Sequence, residues 1–84
     1  MSRRDEHDPF AALILPAGVQ AQAAKLLASV ARASTAADCK LAAQRADGFV
    51  LGLETAHALN AASIEALYIL FENAETARAL ELER

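Results

Sequence analysis

The sequence predicts an all-α fold: a small helical bundle of three main helices, at about residues 18–33, 36–59 and 61–82, preceded by a short N-terminal helical segment. Three observations predict it. Apolar residues recur at i, i+3 and i+4 through each of the three stretches, which is the spacing of one helix face. Residues suited to capping a helix start stand at Asp8, ahead of the short N-terminal segment, and at Thr35 and Asn60, at the heads of the second and third stretches. The 55% hydrophobic content is carried largely by alanine, the best helix former but a residue that contributes little buried area.

Eighty-four residues make one domain, and a domain of that length buries only about 60–65% of its unfolded surface. Merging two thin alanine-rich cores in a homodimer is therefore physically attractive. Residues 1–8, MSRRDEHD, are polar, charged and terminal, so a disordered tail is expected there and a single helical domain over 9–84. Asp8 as cap and Pro9 in the first helical position lead into Phe10, Leu13, Ile14 and Leu15. Pro16 stops this segment after barely two turns. It serves either to cover an open end of the bundle or to dock on a partner, and a small domain's need to bury such residues favours covering.

In the first long helix Val19, Ala23, Leu26, Leu27 and Val30 form a narrow stripe, with Gln20, Gln22, Lys25, Ser29 and Arg32 facing water. Ser34 and Thr35 break it. Thr35-Ala-Ala-Asp38 matches a capping box for the second helix. At about 100° per residue, Cys39, Ala42, Ala43, Ala46, Phe49, Val50 and Leu53 fall within one arc of about 120°, the width of a core-facing stripe. Gly48, Gly52 and Ala56, at i, i+4 and i+8, lie on a different side together with Leu41 and Leu59. Each glycine costs about 1 kcal/mol relative to alanine inside a helix. Close approach of another backbone offsets such a cost, which makes this side a candidate dimer or helix-packing interface. The alternative is that the glycines make room for a bulky side chain of the same subunit. Asp38, Lys40, Arg45, Asp47 and Glu54 exclude a membrane span.

Asn60 caps the third helix, and Leu59 and Ile64 are spaced as a hydrophobic staple. Ile64, Leu67, Phe71 and Ala74 form its main stripe, flanked by Tyr68 and Leu70. Ile69, Leu80 and Leu82 are read as lying outside that stripe, so a monomer would leave apolar groups in water. Single exposed leucines at a frayed end are the plainer account.

The inventory for chemistry is thin. Cys39 and His57 lie on one side of the second helix but about 27 Å apart along its axis, too far for a thiolate–imidazole pair within one subunit. A small buried cysteine and a histidine at the core's edge are the ordinary reading. Two histidines and one cysteine at these spacings give no zinc signature. Glu65, Glu72 and Glu75 read as a solvated acidic face, and no glycine-rich phosphate loop is present. The stretch Thr55 to Ile64, TAHALNAASI, has a superficial helix-turn-helix likeness. Its turn lacks glycine, and the following helix would present Glu65 and Glu72 to phosphates with Arg78 its only basic residue before the end. With a net charge of −3 and one cysteine, the chain is a poor match to nucleic acid and has no internal disulfide. Nothing resembles an apolar signal segment, so a cytoplasmic location is expected.

The runs Ser34-Thr35-Ala36-Ala37-Asp38-Cys39, Arg45-Ala46-Asp47-Gly48-Phe49-Val50-Leu51-Gly52-Leu53-Glu54 and Ile64-Glu65-Ala66-Leu67-Tyr68, with Leu70-Phe71, resemble a group of small uncharacterised all-helical proteins of proteobacteria, some on mobile elements. They are also similar, more faintly, to the QslA type of quorum-sensing antiactivator. That resemblance implies a helical, dimeric protein that occupies an apolar surface on a LuxR-type transcriptional regulator and keeps it from dimerising on DNA.

The function expected is that of a non-enzymatic protein-binding module and homodimer, with no cofactor, whose partner is another protein and whose action is regulatory. Docking is expected through Ile69, Leu80 and Leu82 of the third helix or through Phe10, Leu13 and Ile14. A small DNA-binding regulator and a structural or neutralising subunit of a two-protein complex are the alternatives.

Overall fold

The computed structural model describes residue 10 and residues 13–84, and over them the chain forms three helices with no strand. These are α1 (Ala17–Ala31), α2 (Ala36–Thr55) and α3 (Ala61–Leu82). The tail at 1–8, and Pro9 with it, lie outside the described residues. Of the expected N-terminal helical segment, the described part is not helical. Phe10 sits in a turn whose carbonyl accepts the Leu13 N–H at 3.0 Å, and Leu13 to Pro16 run on as non-helical chain to the start of α1, where the Pro16 carbonyl accepts the Gln20 N–H at 2.9 Å.

α1 opens on Pro16 with φ −56° and ψ 146°, a position that needs no amide of its own. The starts of α2 and α3 are capped as the sequence predicts. Thr35 Oγ1 accepts the Asp38 N–H at 3.0 Å, and Asn60 Oδ1 accepts the Ser63 N–H at 2.8 Å. α2 ends at Thr55, four residues before the end expected for it. The cause is a left-handed residue, His57, with φ 54°. The Ala58 N–H bonds back to the Leu53 carbonyl at 2.9 Å and the His57 N–H to the Glu54 carbonyl at 3.1 Å, the paired bonds of a Schellman ending.

Two clusters make the interior. The main one joins Phe10, Ala23, Ala46, Val50, Ile64, Leu67 and Phe71. The second joins Val30, Ala33, Cys39 and Ala42, covered by Ala74 and Leu82. As numbering rises, α1 and α3 both pass from the main cluster to the second, whereas α2 passes from the second to the main. Hence α1 and α3 run in the same direction and α2 runs against both. Alanine at Ala23, Ala42, Ala43 and Ala46 brings the helices close, and the larger Phe71, Leu67, Val30 and Val50 fill the volume left over.

Candidate protein-binding surface

The predicted contact residues separate into those the fold consumes and those it leaves outward. Phe10 is buried in the main cluster and Leu13 packs on it, so both cover the chain's own core, and neither is free for a partner. Of the described apolar residues Phe10, Leu13, Ile14 and Leu15, Ile14 stands out in solvent, 95% exposed. Leu82 is not part of an exposed strip. It packs over the second cluster, because eighteen residues are five helical turns and return it to the direction of Ile64. Leu59 likewise packs on the main cluster that contains Ile64, as a staple does, and does not belong to a surface shared with the glycines. Ala56 lies beyond the helix, as its C-cap.

Gly48, Gly52 and Leu41 face outward from α2, opposite its buried stripe. A methyl group added at either glycine would meet nothing within 4 Å, so no bulky side chain of this subunit occupies the space. Leu51, 55% exposed, lies beside them, off the i, i+4 row that the glycines form.

A second outward surface is shared by α1 and α3. On α3 the residues Ala62, Ala66, Ile69, Asn73, Thr76 and Leu80 follow one another at alternating steps of four and three, which is the line a neighbouring helix lies along. Ile69 is 49% and Leu80 58% exposed. On α1 the parallel row is Ala17, Gln20, Ala24, Leu27 and Ala31, spaced in the same alternation. Between them lies a surface groove of about 580 Å³, lined by Leu27 from α1 and by Ala66, Ile69, Leu70, Asn73 and Ala74 from α3. Neither row contains a charged residue. Charge begins at the two outer edges. Lys25 and Arg32 border the α1 row, where they share a concavity with Ala24 and Ala28. Glu65 and Glu72 border the α3 row, both exposed. The sequence marks Ile69 and Leu80 as apolar residues off the core stripe of α3, but only the packing of α1 beside α3 makes a face of the two rows.

The groups considered for chemistry are kept apart. Cys39 is a free, buried thiol whose Sγ lies 3.8 Å from the Glu75 carbonyl oxygen, at the end of α2 remote from His57. Among the described residues no three histidine, cysteine or acidic side chains are placed to hold a metal ion. Tyr68, Glu54, His57 and Glu65 line a smaller cleft of about 400 Å³ between the ends of α2 and α3. There the Tyr68 hydroxyl donates to Glu54 Oε1 at 3.3 Å. Loss of water around the phenol raises its pKa above 10.0, and the Glu54 charge and hydrogen bond and the Asp47 charge add to that. Among the described residues no helix is long and apolar enough to cross a membrane. No family model, curated protein or solved structure matches the chain.

Proposed function

We propose that the protein is a non-enzymatic protein-binding module that receives an apolar helical surface on its α1–α3 face. The observation that carries this reading is the uncharged two-helix groove, with Ile69 and Leu80 half exposed along its α3 side. In a domain this small, leaving two large aliphatic side chains in line on the surface forgoes about 1 kcal/mol or more of burial for each, which association recovers. A groove between parallel helices suits an amphipathic helix, whose anchors at i, i+3 and i+7 fall into it. A transcriptional regulator is the partner implied by the resemblance to antiactivators. Blocking such a regulator needs only occupation of its own apolar helix face, with no chemistry. Self-association through exposed apolar rows belongs to the same reading.

The test is affinity capture from native-host extract with the parent protein and an Ile69→Glu, Leu80→Glu variant side by side. The reading expects one regulator to be enriched by the parent and lost with the variant. Equal capture by both would remove the α1–α3 face as the binding site.

A further inference from the structure

We infer that the α1–α3 face is closed by a second copy of the chain, packed about a two-fold axis that runs parallel to the helices. The inference rests on the protein-binding reading above and names the occupant of that same face.

Size permits it. From residue 62 to residue 80 the α3 row is about 27 Å long, and two helices side by side are about 20 Å wide. That footprint is of the order of the roughly 800 Å² per partner that stable complexes bury.

Charge selects the occupant. The face has a basic edge on α1, Lys25 and Arg32, and an acidic edge on α3, Glu65 and Glu72, and both pairs are spaced i, i+7. A surface with one edge of each sign is complementary to itself. Two kinds of two-fold bring such a face onto its copy. An axis perpendicular to the helices lays α1 on α1 and α3 on α3, which sets bases against bases and acids against acids. An axis parallel to the helices lays α1 on α3 of the copy, and each basic edge then meets an acidic one.

The parallel axis preserves height, so the match is set by heights within one subunit. Leu27 shares the groove with Ala66, Leu70 and Ala74, which puts it level with about residue 70. At 1.5 Å per residue, Lys25 and Glu65 then differ in height by about 5 Å, as do Arg32 and Glu72. Lysine and arginine side chains span that offset. The exposed alanines Ala21 and Ala24 leave them room to cross the edge. The remaining basic residue of α3, Arg78, is engaged by the Ala33 carbonyl and Glu81 and does not disturb the acidic edge.

Reversal of the edges tests the arrangement. One variant carries Lys25→Glu and Arg32→Glu, a second carries Glu65→Lys and Glu72→Lys, and a third carries all four changes. Sedimentation equilibrium of each alone, and of the first two mixed, is compared with the parent, with helical content by circular dichroism checked for each. The parent and the four-fold variant are expected to be dimers. Each two-fold variant alone is expected to show a dimer dissociation constant raised by about tenfold or more, and the equimolar mixture to recover a two-chain species. A monomeric parent, or two-fold variants as dimeric as the parent, would overturn the inference. A monomeric parent that still loses a captured regulator on Ile69→Glu, Leu80→Glu substitution would overturn the two-fold alone and leave the protein-binding reading standing.

Discussion

Arg78 Nε donates a hydrogen bond to the carbonyl oxygen of Ala33 at 2.8 Å, joining the C-terminal part of α3 to the segment just beyond the end of α1. Ala33 is buried, and carbonyls at a helix end have no partner within the helix. A guanidinium here satisfies that oxygen and sets a positive charge at the negative end of the α1 dipole. It also fixes the height of α1 against α3, on which the shared face depends. The second bond of Arg78, to Glu81 at 2.8 Å, is exposed and adds little.

Arg78→Met keeps the aliphatic stem and removes the donor. It is expected to destabilise the fold by about 1–3 kcal/mol, the cost of a buried carbonyl left unpaired, measured by urea unfolding. Glu81→Gln, which leaves the Ala33 bond intact, is expected to change stability by less than about 0.5 kcal/mol.

The turn between α2 and α3 contains a strained residue. His57 holds φ 54° where glycine is the usual occupant, and its side chain is exposed. His57→Gly is expected to stabilise the protein by about 0.5–1 kcal/mol, seen as a rise of a few degrees in Tm. A drop in Tm would mean that the imidazole contributes more than the backbone strain costs.

Nothing stands within 4 Å of a methyl group built on Gly48 or Gly52. With that face open, Gly48→Ala and Gly52→Ala are each expected to stabilise α2 by about 0.5–1 kcal/mol and to leave the solution mass unchanged. Loss of a two-chain species in either variant would place another backbone against the glycines.

Tyr68 is the single tyrosine, so its ionisation is read directly from ultraviolet absorbance. Its titration is expected to centre above pH 10.0 in the folded protein and to move down in Glu54→Gln, which removes the neighbouring charge and alters the acceptor. A phenol with a pKa raised on folding favours the folded state fully below its unfolded pKa. That contribution is lost as pH rises through the folded value, so the linkage acts only on the alkaline side of pH 10.0.

Much of the fold is legible in the sequence because period and caps agree. Ala23, Val30, Cys39, Ala46, Val50, Ile64, Leu67 and Phe71 stand on predicted stripes and are buried, and Thr35 and Asn60 cap the helices they precede. The end of α2 is not legible, since a left-handed histidine gives no signal of the kind that glycine gives. Leu82 is misplaced by reading it as off the stripe of α3, when five full turns from Ile64 bring it back over the second cluster. Of the candidate surface, Ile69 and Leu80 are legible as apolar residues off the stripe. The α1 half is not, because Ala17, Ala24 and Ala31 are unremarkable on their own helix and become part of a face only beside α3.

The most direct measurement is the solution mass, by light scattering, of the parent, Ile69→Glu and Leu51→Glu at matched concentration. Both substitutions place a charge at an aliphatic residue about half exposed in the isolated subunit, one on the α1–α3 face and one on the outer side of α2. The account predicts two chains for the parent and for Leu51→Glu, and one chain for Ile69→Glu. A two-chain Ile69→Glu with a one-chain Leu51→Glu would contradict it and move the interface to the open glycine side of α2.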